Sequence, residues 1–209
     1  NARTEIIHLG RRSMQDKPEL DGCTGAIVLP GATANNEVLH GQNWDWRMEC
    51  AQTGVVLHIR RDDGPDVLTF TEAGGLARAG MNSIGTAITG NNLESDRDYQ
   101  TLGVPLPLIR RKALEANHFA LSMKAVAVTP KSGSNNMMLS HAAGFGINYE
   151  CAPDEVFPLF EVDDLLVHAN HWRSAVAQVK LKNTGIGGAP ESFYRDIRVE
   201  KLLKPFHGS

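Results

Sequence analysis

The sequence is sparing with cysteine, aromatic residues and any excess of one charge. Its three cysteines, Cys23, Cys50 and Cys151, are an odd number without framework spacing. That argues against a disulfide-stapled secreted scaffold and suits a reducing compartment, so a cytoplasmic location and a reactive thiol are expected. A formal net charge of −3 leaves no basic field for nucleic acid, and Arg60-Arg61 and Arg110-Arg111-Lys112 are short enough to be solvated faces. No apolar run approaches the roughly 20 residues of a bilayer span, and no charged-then-apolar leader opens the chain. Neither nucleic acid nor a membrane is expected as a partner.

What is present describes one domain with a substantial core: 209 residues, 42% hydrophobic and 22% charged. The sequence opens without methionine inside a strand-like stretch (Thr4-Glu5-Ile6-Ile7), so further segments are expected at both ends. Residues 8–22 are polar, contain Lys17-Pro18 and read as an exposed loop. They lead to Asp21-Gly22-Cys23-Thr24, where a cysteine follows a glycine and precedes the apolar run Ala26-Ile27-Val28-Leu29.

That junction is suited to self-cleavage. A cysteine at a chain's first residue carries its own base, because the free α-amine has a pKa near ~8 and lies within reach of the thiol through one water. Before cleavage the same thiol can attack the Gly22 carbonyl, and glycine there removes the side chain that would obstruct it. Residues 1–22 are then the end of a propeptide with its cleavage linker, and residues 23–209 the working domain. The competing reading is a buried structural cysteine on a strand.

Periodicity supports an α+β domain. Val55, Leu57 and Ile59 alternate with Val56, His58 and Arg60; Leu68 and Phe70 alternate with Val67, Thr69 and Thr71. Asn35-Asn36 and Asp62-Asp63-Gly64-Pro65 supply turns, so antiparallel hairpins are predicted between Cys23 and Ile88. Helices are predicted over residues 105–116, entered by Pro105, and over residues 119–128, ended by Pro130. Strands follow at residues 137–140, 146–150 and 165–168, then a helix at residues 190–203. Helices covering one side of packed sheets is the architecture this order fits.

Gly41-Gln42-Asn43-Trp44-Asp45-Trp46, taken with the junction upstream, resembles the isopenicillin-N acyltransferase family of N-terminal-nucleophile hydrolases, itself similar to the choloylglycine hydrolases. The resemblance continues through Asn1-Ala2-Arg3-Thr4-Glu5, Thr71-Glu72-Ala73-Gly74, Gly80-Met81-Asn82-Ser83-Ile84-Gly85, Gly103-Val104-Pro105, His168-Ala169-Asn170-His171 and Ser192-Phe193-Tyr194-Arg195. It implies a four-layer αββα sandwich, incomplete at both ends.

By the same resemblance Cys23 is the nucleophile of both autoproteolysis, at Gly22-Cys23, and turnover. Asp45 meets the Cys23 ammonium or orients substrate, against the alternative of a strand-capping turn residue. Asn170 matches the oxyanion-hole asparagine, a donor whose removal typically costs ~3 kcal/mol of barrier. Asn91 matches an asparagine near the nucleophile in the choloylglycine branch, with a strand-end turn residue as an equal alternative. Arg195 binds a carboxylate or forms a structural ion pair, and Trp44 walls the pocket. Gln42 stands where the choloylglycine branch carries arginine, which argues against bile-salt chemistry. Ala152 replaces a hydroxyl residue of the penicillin-making members.

The expected reaction is acyl transfer through a Cys23 thioester from an amide or thioester donor to an amine or water, with coenzyme A thioesters as possible donors and no metal or prosthetic cofactor. The expected partners are a small-molecule donor and acceptor, the released N-terminal segment and a second copy of the chain. Two other readings stand beside it. One is an unprocessed, inactive homologue serving as a binding scaffold; the other is a metallohydrolase using His168 and His171, a pair without further ligands nearby in sequence.

Overall fold

The computed structural model describes residues 22–204. Of the expected propeptide only Gly22 falls within that span; the loop over residues 8–21, the strand at residues 4–7 and the family match at Asn1–Glu5 lie outside the described residues.

The chain enters as strand β1 (Gly22–Val28), which pairs antiparallel with β2 (Leu39–Asp45) on one side. On its other side runs β10 (Leu165–His168), so the order in this small sheet is β10-β1-β2. Between them in sequence lies a seven-stranded antiparallel meander: β3 (Gly54–Ile59), β4 (Val67–Glu72), β5 (Ala79–Asn82), β6 (Thr86–Asn92), β7 (Asn135–His141), β8 (Phe145–Cys151) and β9 (Val156–Leu159). Helices α1 (Leu106–Glu115) and α2 (Phe119–Val128) join β6 to β7. Short α3 (Ala175–Lys180) and longer α4 (Ser192–Leu203) close the chain.

Four layers result. Helices α1 and α2 cover one face of the large sheet, the small sheet packs on its other face through β1, and α4 lies against the outer side of β1 and β10. This is the αββα arrangement. The helix-facing layer is apolar: Val67, Ile88, Met137, Leu139 and Ile147 from the strands meet Ile109, Ala113, Leu114 and Val126 from the helices. Each such side chain contributes ~1.5–3 kcal/mol by leaving water. Ser122 ties the helices by donating to the Ala113 carbonyl at 2.7 Å, and buried Lys131 donates to the Val126 and Thr129 carbonyls at 2.7 Å each, closing the end of α2.

The large sheet is wider than the small one, and this explains an inversion in β4. Its buried residues are Val67, Thr69 and Thr71, while Leu68 is 42% exposed and Phe70 half-buried. Leu68 and Phe70 point to the side where three strands cannot cover seven. Met81, opposite Leu68, and Val56, opposite Phe70, share that open face. A separate cavity of about 690 Å³ lies near the far end of β1, lined by Val28, Ala32, Leu39, Leu165 and Leu203, away from Cys23.

Candidate active site

Strand β1 begins at the junction, so Gly22 and Cys23 lie at the edge of the layer between the sheets. The β1–β2 register sets Cys23 opposite Trp44 and Gly22 opposite Asp45. Cys23 is 3% exposed, and its backbone N–H donates to Asn170 Oδ1 at 2.7 Å. Arg195, in the first turn of α4, donates through Nη1 to the Cys23 carbonyl at 2.6 Å and to Thr24 Oγ1 at 3.0 Å. Through Nη2 it reaches Asn170 Oδ1 at 2.9 Å and Glu191 at 3.3 Å. One oxygen, Asn170 Oδ1, thus accepts from both Cys23 and Arg195. The guanidinium also explains Gly22: a Cβ there would lie 3.3 Å from the carbon of the guanidinium.

Asn170 is held on every side. Its backbone N–H donates to Ser192 Oγ at 2.7 Å, and its Nδ2 donates to the Asn92 carbonyl at 2.9 Å. The carbonyls just before it, of His168 and Ala169, accept from Asn91 Nδ2 at 2.7 and 3.1 Å. Gln42 steadies Asn91 by donating to its Oδ1 at 2.7 Å and to the Gly90 carbonyl at 2.7 Å. A neutral amide therefore does here what two acceptor oxygens require.

Cys23, Asn170 and Arg195 come together in one hydrogen-bonded cluster, with Gly22 against the Arg195 guanidinium and Asn91 on the two carbonyls that precede Asn170. Trp44 stands beside it as a half-buried wall, stacked on Trp46 with ring centroids 6.3 Å apart and edge-on to Phe70 at 5.6 Å. The Arg78 guanidinium lies 4.2 Å above the Trp44 ring. Asp45 is exposed, and strand alternation turns it to the face opposite Cys23, where it makes no hydrogen bond or ion pair among the described residues.

No family model matches the chain. It is 26% identical over 195 residues to the acyl-coenzyme A:6-aminopenicillanic-acid-acyltransferase 40 kDa form of Emericella nidulans, an alignment taking in 90% of this chain and 51% of that protein. The chain thus spans about half the length of this curated relative. The Caenorhabditis elegans ortholog of N-acylethanolamine-hydrolyzing acid amidase superposes with a TM-score of 0.55 at 16% identity, over 72% of this chain and 71% of that one. A variant of the conjugated bile acid hydrolase from Clostridium perfringens gives 0.53 at 15% identity, over 76% and 56%. The fold is that of an N-terminal-nucleophile hydrolase. The resemblance to the isopenicillin-N acyltransferase family read from the sequence stands with it.

In this N-terminal-nucleophile fold the surroundings of Cys23 are strongly charged. Glu72 is forked by Arg78 at 2.7 and 2.5 Å; burial pushes its carboxyl up, but the hydrogen bonds and charge of Arg78 prevail and hold it below the usual range. Arg110 reaches from α1 to Gly90, where a Cβ would lie 2.7 Å from its Nη2, and donates to Asn135 Oδ1 at 2.9 Å. Burial, with the charge of Arg78, lowers its pKa to about 10 against the opposing influence of Cys23 and Glu72.

The two motif histidines have separate partners. His168 faces Glu150 Oε1 with Nε2 at 2.7 Å and the Ala169 carbonyl with Nδ1 at 2.9 Å, so both ring nitrogens meet acceptors. Glu150 also accepts from the backbone N–H groups of Arg173 at 2.5 Å and Ser174 at 3.0 Å. His171 meets Ser192 and Asp196. Among the described residues no group of three His, Cys, Asp or Glu could hold a metal ion. Sequence reasoning gave no role to Ser192, Asp196, Glu150 or Asn92, and it read Arg110 as part of a solvated face, whereas Arg110 is buried at 5% exposure beneath the large sheet, held by Asn135. The spacing of Ser192 three residues before Arg195, on one helical face, was the available signal for the first.

Proposed function

We propose that this chain is a self-processing cysteine enzyme that cleaves amide or thioester bonds of small molecules and passes the acyl group to an amine or water. In processing, Cys23 Sγ attacks the Gly22 carbonyl carbon. The C–N bond breaks as the nitrogen of Cys23 takes up a proton, and water then hydrolyses the Gly22–Sγ thioester, freeing the segment that ends at Gly22 and a new α-amine. In turnover that amine accepts the thiol proton, Sγ attacks the donor carbonyl, and the amine returns the proton to the leaving group. Water or an amine then releases the acyl group. The observation that carries this reading is the 2.7 Å hydrogen bond from the Cys23 nitrogen to Asn170 Oδ1. The atom that would become the catalytic amine already has a fixed acceptor, and Arg195 fixes the carbonyl on the other side of the same residue.

The second amide hydrogen of Asn170 Nδ2 is the proposed oxyanion donor, with Asn91 as its support. Asp45, cross-strand neighbour of Gly22, is the proposed partner of the released ammonium. The apolar face of Trp44, Phe70, Leu68 and Met81 is where the acyl group would lie, and coenzyme A thioesters are proposed donors. The relatives named above support this chemistry by their own names: one is an acyltransferase and two hydrolyse acyl amides or conjugates.

Intact-mass spectrometry of wild type and Cys23→Ala tests the reading. Wild type should break between Gly22 and Cys23, while the variant stays whole. Exposure of the processed wild type to an activated acyl ester should add one acyl group, mapped to Cys23. An uncut, unlabelled wild type would overturn the proposal.

A further inference from the structure

Behind Asn170 lies a second, fully buried chain of side chains that the proposed reaction does not use. His171 Nε2 is 3.3 Å from Asp196 Oδ2, and His171 Nδ1 is 2.8 Å from Ser192 Oγ. Ser192 Oγ in turn accepts the Asn170 backbone N–H at 2.7 Å. Ser192 is wholly buried, His171 6% exposed and Asp196 4% exposed, so the serine cannot meet a substrate despite its acid–imidazole–hydroxyl arrangement.

The protons can be assigned from the partners alone. Asp196 offers only acceptor oxygens when ionised, so Nε2 carries the ring proton and donates to it. Nδ1 is then an acceptor and takes the Ser192 O–H. That leaves the serine lone pairs facing Asn170, whose N–H fills one. The direction of each hydrogen bond is thus set by Asp196.

We propose that Asp196, His171 and Ser192 form a positioning chain that orients Asn170, and through its Oδ1 the nitrogen of Cys23. The proposal rests on the reading of Cys23 as the nucleophile. None of the three touches the reacting atoms; they act by fixing the residue that does. Arg195 belongs to the same helix, three residues after Ser192, so one helical turn delivers both supports of Asn170.

The direction of the Ser192–His171 hydrogen bond requires neutral His171. An imidazolium would donate from Nδ1 to Ser192 Oγ and turn the hydroxyl proton away from its place. The groups facing the ring are Asp196 on α4, Glu150 on β8, and His168 and Arg173 on its own segment, with the Phe193 ring 4.4 Å away. Burial lowers the His171 pKa, with His168 and Arg173 acting the same way and Asp196 and Glu150 opposing. The neutral form therefore prevails at neutral pH, and its loss falls below the ordinary histidine range.

The test follows acetylation of Cys23 by p-nitrophenyl acetate, mapped by peptide mass spectrometry, across pH 4–8 in wild type, Ser192→Ala, His171→Phe and His171→Asn. Thermal melts establish that each variant is folded. Ser192→Ala and His171→Phe should slow acetylation about tenfold to a hundredfold, the scale of a displaced catalytic group. His171→Asn keeps an acceptor near the Nδ1 position and should restore the neutral-pH rate to within about fivefold while losing the extra acid-side fall of wild type. Labelling at Cys23 with equal rates in all four proteins would overturn the positioning chain alone. Labelling that bypasses Cys23 would overturn the nucleophile reading, and the chain with it.

Discussion

One face of the large sheet meets α1 and α2 through Val67, Ile88, Met137, Leu139 and Ile147; the other meets the small sheet through Thr89, Asn91, Asn136, Ser140 and Glu150. The same strands build both. Helix packing needs only complementary apolar shape, because a helix satisfies its own backbone. The inter-sheet layer must also hold the ends of β1 and β10 and the loop after His168, whose carbonyls and N–H groups have no ladder partner. Its polar side chains supply those partners, Asn91 for two carbonyls and Glu150 for two N–H groups, and His40 links the small sheet to the Ser140 and Thr89 hydroxyls at 2.8 and 2.9 Å. Only near Ile27, Leu29, Met138 and Leu166 does this layer become apolar. One layer holds the domain together, and the other places Cys23.

Substitutions can separate the two. Glu150→Ala leaves His168 Nε2 and the N–H groups of Arg173 and Ser174 without their buried acceptor and should cost about 4 kcal/mol in urea unfolding. Acylation of Cys23 should fall as well, since the segment leading to Asn170 loses its anchor. Leu114→Ala in the helix-facing layer should cost about 3 kcal/mol through lost burial and a cavity, with Cys23 acylation unchanged in the folded fraction. Equal losses of acylation in both variants would break the division. His40 gives the smallest effect. Burial lowers its pKa to about 4, so the folded protein holds it neutral while the unfolded chain protonates near the ordinary 6.5. Stability is therefore whole above pH 6.5 and declines as pH falls toward 4, by about 2 kcal/mol for this partly buried ring. His40→Asn should flatten that part of the pH–stability curve.

The two layers were unequally legible. Residues 105–128 announced two helices because Pro105 and Pro130 bracket a 3.6-residue period, and the structure has α1 and α2 there. Strand β9 went unread because it is four residues long and contains Pro158, which an edge strand tolerates. Six-residue α3 is too short for a period to emerge, although Ser174 caps it by accepting from the Ala177 N–H at 3.3 Å. The need of Gly90 to admit Arg110 is invisible in the sequence without the helix packed above it.

By itself the sequence determined what neighbours along the chain can encode: helix and strand periods, the bare junction before Cys23, and motifs in the order that resembles the acyltransferase family. Tertiary structure alone decided which atoms meet. Cys23 and Asn170 stand 147 residues apart, and nothing local could say that the asparagine oxygen faces the cysteine nitrogen. Periodicity reports which face of an element is buried, whereas a hydrogen bond between distant strands depends on sheet register and on the helix that closes over it.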